Sequence, residues 1–250
     1  MAASFLSKLQ RGKFTGPVRL VVHGGSGVGK STFAAGAPTP LFLDFEGRTG
    51  HLDIARFMPT SWEETLQCLR DLVADPGEFK TIVFDTLDHM EVLIHRYVCT
   101  KNDWADIETP GWGKGYTPAL LEFHRLITAC EMLRTKGLNV VMLAHTAVRT
   151  QTLAGQDSVG IMNLKLKGGE KTNSGDYIVE KADLVGYAHW EDLVRKEKGA
   201  FKAKAVTTGD RLLTFKHHPA VMTKQGVSMA DEIPLNWAAF AAALEANRGV

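Results

Sequence analysis

The octet Gly24-Gly25-Ser26-Gly27-Val28-Gly29-Lys30-Ser31 carries the spacing G-x-x-x-x-G-K-[ST] in full. It stands where such a loop has to stand. The apolar run 19–23 before it reads as a strand, and 31–35 after it reads as a helix. The glycines let the backbone N–H groups of Gly25, Ser26, Gly27, Val28 and Gly29 turn inward around a chain of phosphates, a cradle that takes in Thr32 at the start of the helix. Lys30 then reaches the β/γ oxygens, and the Ser31 hydroxyl ligates Mg²⁺. A Gly-rich turn could match the pattern by accident, but the lysine, the hydroxyl and both flanking elements tell against that. The chain is expected to bind ATP with Mg²⁺.

A strand, a phosphate loop and a helix in succession point to an α/β fold, and the rest of the chain keeps the alternation. Strands are expected at 20–23, 41–45, 81–84, 139–144 and 183–188, with helices at 31–36, 62–74, 86–99 and 118–136. Ser61-Trp-Glu-Glu64 is a capping box, in which the Ser61 hydroxyl accepts from the Glu64 N–H while the Glu64 carboxylate reaches back. Thr117-Pro118 offers a cap followed by proline at the first helical position, and Gly137 stands where that helix should stop. After residue 190 the pattern changes. The runs 201–208 and 211–217 read as an antiparallel hairpin joined by Gly209-Asp210. Residues 1–17 read as an N-terminal arm, with Phe5, Leu6 and Phe14 as anchors, and 18–250 as one domain.

Composition narrows the partners. A formal net charge of +1 excludes a strongly basic nucleic-acid coat but permits local basic patches. Cys68, Cys99 and Cys130 share no C-x-x-C spacing and read as small core residues suited to a reducing compartment. No apolar run approaches the ~20 residues that span a bilayer, and the first residues lack the apolar core of a secretory signal. No membrane partner is expected, and the expected location is the cytoplasm. His217-His218 has no second cluster to complete a transition-metal site.

The acids of the nucleotide site follow from strand ends. Thr81-Ile-Val-Phe-Asp85 is an apolar strand ending in the carboxylate that holds the Mg²⁺ shell, unless Asp85 merely caps the next helix. Thr86 follows it, so a water-activating glutamate has to come from elsewhere. Leu41-Phe-Leu-Asp-Phe-Glu46 supplies one: Glu46 lies at the C-terminal end of its strand, the edge where open α/β sheets bind ligands. There it can orient and deprotonate water for in-line attack on the γ-phosphate, whereas Asp44 reads as a supporting acid. The plainer reading of Glu46 is a loop acid before Gly47-Arg48.

The order of segments carries a resemblance. The run GGSGVGKST is followed by Pro40-Leu-Phe-Leu-Asp-Phe-Glu-Gly47 and by Lys80-Thr-Ile-Val-Phe-Asp-Thr-Leu-Asp88. Trp112-Gly-Lys-Gly-Tyr116 and Asn139-Val-Val-Met-Leu-Ala-His145 come next. Over about residues 18–225 this succession resembles the phage-encoded, AAA-type RecA-like P-loop proteins that include single-strand annealing ATPases. The resemblance implies a RecA-like core, slow DNA-stimulated ATP hydrolysis, and homo-oligomers on single-stranded DNA, with a single-strand-binding protein as a further partner. The N-terminal assembly domain of RecA is reduced here to a short arm, which tells against filaments of the RecA kind. The resemblance also gives His145 the place of the polar residue that senses the γ-phosphate and moves the loop after it. Lys216 and Lys224 take the place of lysines that touch ATP on the neighbouring subunit, although their spacing differs from RecA's.

In RecA-like proteins the loop after the sensor strand contacts single-stranded DNA. Here 149–176 is the longest stretch without periodicity, with Arg149, Lys165, Lys167 and Lys171 as phosphate partners and Gly168-Gly169 as a hinge. A second candidate is 101–116, where Trp112 and Lys114 stand among glycines as a base-stacking platform, unless the tryptophans pin the loop to the core. A third group, Arg195, Lys196, Lys198, Lys202 and Lys204, reads as a solvated face. The expected function is ATP-dependent single-strand DNA binding that promotes annealing or strand exchange. A nucleotide-driven switch docking on a replication or recombination protein is the alternative. A small-molecule kinase is disfavoured, because no Arg-rich lid is evident.

Overall fold

A computed structural model of the protein describes residues 15–151, 158–169, 172–195 and 204–248. Strand β1 (Arg19–Gly24) leads into the phosphate loop and helix α1 (Lys30–Ala35). Strands β2 (Pro40–Asp44) and β3 (Ala55–Phe57), helix α2 (Trp62–Ala74) and strand β4 (Thr81–Asp85) follow. Helices α3 (Leu87–Asn102) and α4 (Tyr116–Thr135) then precede the long strand β5 (Asn139–Gln151) and strand β6 (Val159–Leu164). Helix α5 (Ser174–Lys181) comes before strands β7 (Leu184–Arg195), β8 (Lys204–Thr214), β9 (Lys224–Gln225) and β10 (Glu232–Pro234), and helix α6 (Trp237–Arg248) closes the described chain.

Among the described residues the strands form one sheet in the order β10-β8-β7-β1-β5-β4-β2-β3, with β6 on β5 and β9 on β7. From β7 to β3 all neighbours are parallel, and β8 and β10 add antiparallel strands beside β7. This is the fold class expected: a mostly parallel sheet flanked by helices, with antiparallel C-terminal strands. Strands buried on both faces read as continuous apolar runs because successive side chains enter opposite layers. In β5, Val140, Met142 and Ala144 pack into the layer under α2, α3 and α4, while Val141 and Leu143 pack into the other. That second layer is covered by Phe33 of α1 and by Trp237, Phe240 and Leu244 of α6.

Caps and turns decided several boundaries. Ser61 accepts from the Glu64 N–H at 3.1 Å, but the Glu64 carboxylate takes the Thr60 N–H and hydroxyl. Helix α4 begins at Tyr116, ahead of Thr117-Pro118, with Gly115 at its N-cap and no side-chain cap. Its end is as expected: Gly137 sits at φ +93°, and the Leu138 N–H returns to the Leu133 carbonyl.

Two expectations need correcting. Gly209-Asp210 is not a hairpin turn, because β8 runs through it and pairs antiparallel with β7. The register shifts between Trp190 and Asp192 of β7, opposite Arg211 and Thr207, so β8 bulges there and Gly209 (φ +87°) supplies the positive φ. The local Gly-Asp signal was real, but a bulge uses the same backbone freedom as a turn. Likewise 149–176 is not structureless: β5 runs on to Gln151 and pairs with β6, and α5 starts at Ser174. Helix α6, which the sequence reading did not place, is marked by Trp237, Phe240 and Leu244 at helical spacing. Phe5, Leu6, Phe14, Lys171, Lys196, Lys198 and Lys202 lie outside the described residues.

Candidate nucleotide site

Parallel register gathers the site at the C-terminal edge of the sheet. Gly24 of β1 pairs with His145 of β5 and with Ala188 of β7, and Asp44 of β2 pairs with Asp85 of β4. Gly24 has no room for a side chain, since a Cβ there would lie 2.4 Å from the Ala188 carbonyl oxygen. Gly29 caps α1 at φ +105°, a left-handed conformation that only glycine enters freely. The turn it makes brings Lys30 back over the loop. The buried Lys30 ammonium donates to the carbonyls of Gly24 (3.1 Å) and Gly25 (2.9 Å). Burial draws its pKa below the ordinary lysine range, against the pull of Asp85, Asp88 and Glu46. A buried cation held by carbonyls at the mouth of such a loop fits the polyphosphate of a nucleotide.

A cavity of ≈ 310 Å³ opens above the loop, and Ser26, Gly27, Gly29, Lys30, Ser31 and Thr32 line one side of it. Glu46, Asp85 and His145 line it too, so the structure brings these three residues into one space, although β5 runs past His145 to Gln151 instead of ending there. Asp85 is buried and takes a hydrogen bond from Ser31. Burial raises its pKa, and the charges of Asp44 and Glu46 add to the rise. A carboxylate under that strain, in contact with a hydroxyl, fits a divalent cation, so Ser31 and Asp85 are the residues that would hold Mg²⁺.

Asp44 does what a supporting acid should. Its carboxylate accepts from the backbone N–H groups of Glu46 (3.1 Å), Gly47 (2.7 Å) and Thr49 (3.1 Å) and from the Thr49 hydroxyl (2.7 Å). Burial would raise its pKa, but these bonds outweigh burial and keep it below the usual carboxylate range. The loop after β2 is thereby fixed, with the Glu46 side chain 15% exposed and paired to Arg48 at 3.3 Å.

Several site residues had no role in the sequence reading. Asp88, in the first turn of α3, accepts from the His145 backbone N–H (3.0 Å) and from its Nδ1 (2.9 Å). Burial opposes ionisation of Asp88, yet its bonds to His145 and Thr86 hold it ionised well below the usual carboxylate range. His89 Nδ1 lies 2.9 Å from the Thr86 hydroxyl. Arg211 of β8 also lines the cavity: its guanidinium packs against Gly29 and stacks over the Trp190 ring, 5.1 Å from the centroid. Gly25, Ser26 and Val28 line a second cavity of ≈ 730 Å³ with Tyr187, His189 and Trp190, apolar and aromatic enough for a base and ribose. Asp88 and Arg211 were invisible as site residues because strand order and the β8 fold-back, not spacing, bring them in.

The residues expected at DNA are placed elsewhere. Arg149 donates to the Leu166 carbonyl and pairs with Asp176 at 3.6 Å, which ties β5 to α5. Lys165 and Lys167 are exposed beyond β6. Trp112 is 97% exposed beside the exposed Lys114, so this tryptophan does not pin its loop, whereas Trp104 does pack on the core. Neither Lys216 nor Lys224 lines the phosphate cavity. The Lys224 ammonium is instead taken by the carbonyls of Val179 (3.0 Å) and Glu180 (2.6 Å) at the end of α5. Among the described residues no helix is long and apolar enough to cross a membrane.

Comparison with known proteins bears on the same residues. A family model described as an AAA domain matches residues 16–227. Among solved structures, the chain is similar to a KaiC-like protein from the hyperthermophilic archaeon Pyrococcus horikoshii OT3. Identity is 14%, the match covers 88% of this chain and 86% of that chain, and the TM-score is 0.43. No curated protein matches the sequence.

Proposed function

The chain belongs to the AAA domain family and is a nucleotide-binding ATPase domain of the P-loop type; we propose that its nucleotide state governs binding to single-stranded DNA and that it promotes strand annealing of the kind phage recombination uses. The observation that carries this reading is the continuity of β5. One strand passes from His145, at the phosphate cavity, to Gln151 in the β5–β6 hairpin, and the exposed Lys165 and Lys167 follow β6. A change at His145 therefore reaches the basic segment through paired backbone.

In this reading Lys30, Ser31 and Asp85 hold MgATP, and Mg²⁺ supplies charge that offsets the phosphate oxygens. Glu46 orients water and takes its proton as the oxygen attacks the γ-phosphorus and the bond from that phosphorus to the β–γ bridging oxygen breaks, so that ADP leaves, while the ion pair with Arg48 holds the carboxylate. Exposed Trp112 offers a stacking face to a base, with Lys114 beside it for phosphate. Few cations are involved, so binding needs ATP or assembly into oligomers to collect enough contacts, and it weakens with salt.

Fluorescence anisotropy of labelled single- and double-stranded oligonucleotides, with no nucleotide, ADP or a non-hydrolysable ATP analogue, tests the reading. The expected result is tighter single-strand binding with the analogue, reduced by raising salt. A second reading, docking on a single-strand-binding protein or helicase, is favoured by the exposed Val148 (70%) and Val159 (44%) of the hairpin. Absence of oligonucleotide binding in every nucleotide state would overturn the DNA reading in favour of that one.

A further inference from the structure

We propose that Glu46, His89 and His145 form a binding site for a divalent transition cation of the Zn²⁺ or Co²⁺ class, distinct from the Mg²⁺ position at Ser31 and Asp85. One ligating atom from each of the three lies within 4.8 Å of the other two. All three side chains are half-buried, on the loop after β2, the first turn of α3 and the middle of β5, so the site draws on three separate elements. Two imidazoles and a carboxylate are a donor set that suits borderline cations rather than Mg²⁺.

The hydrogen bonds around the histidines point the same way. His145 Nδ1 lies 2.9 Å from the Asp88 carboxylate, which can only accept, so Nδ1 carries the proton. The Thr86 hydroxyl also bonds Asp88 and therefore donates to it, which leaves its oxygen to accept from His89 Nδ1 at 2.9 Å. In the uncharged form that a metal requires, both rings are thus Nδ1–H tautomers, which leaves Nε2 as the nitrogen able to ligate. The outer shell of histidine metal ligands has this form, a carboxylate or hydroxyl holding the far nitrogen. Asp88 orients one ring directly and the other through Thr86. In this arrangement Asp88 is a positioning residue.

A consequence for regulation rests on the function proposed above. A cation at this site occupies the Glu46 carboxylate and keeps it from water, so Zn²⁺ should inhibit hydrolysis of MgATP.

The test uses tag-free full-length protein, freed of metal and without nucleotide, titrated with Co²⁺ while the visible absorption is followed. The expected result is a ligand-field band that saturates at about one Co²⁺ per chain, since one such three-residue site is built among the described residues, and that Zn²⁺ displaces. His89→Ala should weaken the titration by more than about tenfold, and Asp88→Asn by about ten- to a hundredfold through loss of orientation. His89→Gln repeats the deletion with a side chain of similar size, should the alanine variant fold poorly. No saturable band, or an unchanged titration in folded His89→Ala and His89→Gln, would overturn the site. Hydrolysis of MgATP in the presence of a transition-metal chelator tests the ATPase reading on its own, so the two can fail separately.

Discussion

Glu46 and Asp85 reach one cavity from neighbouring strands, yet their surroundings give them different work. Asp85 is buried against Ser31, where its negative charge is costly until a cation shares it. Glu46 stays partly open to the cavity and pairs with Arg48 at 3.3 Å. The expected result for Glu46→Gln is unchanged ATP affinity with turnover lowered by about a hundredfold or more, the usual loss for a general base. Phosphate release and nucleotide binding measured on the same preparation check it, and normal turnover would remove Glu46 from the chemistry. These two acids could be read from the sequence because each ends an apolar run, and strand ends mark the ligand edge. Asp88 and His89 could not. Their approach to His145 depends on β4 lying next to β5, and no local spacing encodes that order.

The strands β7 and β8 carry a second kind of information. Where β8 bulges at Gly209, the two strands bring Arg211 against Gly29 of the phosphate loop and over the Trp190 ring. A guanidinium in that place is positioned to meet phosphate charge from within the same chain, whereas Lys224 is held by the end of α5. We expect Arg211→Ala to lower kcat by more than about tenfold, as loss of a preorganised cation does. Equal turnover in wild type and variant, measured at saturating MgATP and dilute protein, would return the role to a neighbouring subunit. At this scale the parallel strands β7, β1, β5, β4 and β2 were readable from their apolar, largely buried runs, whereas the short edge strand β3, with Ala55 and Phe57 exposed, was not. The antiparallel strands were misread for a physical reason: Gly-Asp serves a turn and a bulge equally, and only pairing separates them. Helix α6 escaped notice because alanines dilute its apolar stripe, although Trp237, Phe240 and Leu244 all reach the core.

Across the molecule, one buried acid fastens the chain after β6 to the core. Glu91 of α3 accepts from the Lys167 N–H at 3.0 Å and from the Ser174 hydroxyl at 2.7 Å, so the chain after β6 and the start of α5 both end on it. Burial pushes its pKa up to about 7 against those bonds. A carboxyl whose folded pKa lies above its unfolded value holds its proton better when folded. Its contribution is therefore complete below about pH 4.5 and is lost as pH rises to about 7, at roughly 1.4 kcal/mol per pKa unit. Thermal melts of wild type and Glu91→Gln from pH 4 to 8 should show the wild type losing ground relative to the variant across that window. A constant difference would show that Glu91 does not titrate there. The β5–β6 hairpin held by this clasp also sets a rule of parity. Up to Leu143, β5 is locked between β1 and β4, but from Thr146 its ladder partner is β6. Lengthening both arms by two residues would keep every side chain on its present face, whereas one residue in each would turn the hairpin's surface inside out. The strand segment beyond His145 can therefore change its reach while the edge that carries the phosphate loop stays in register.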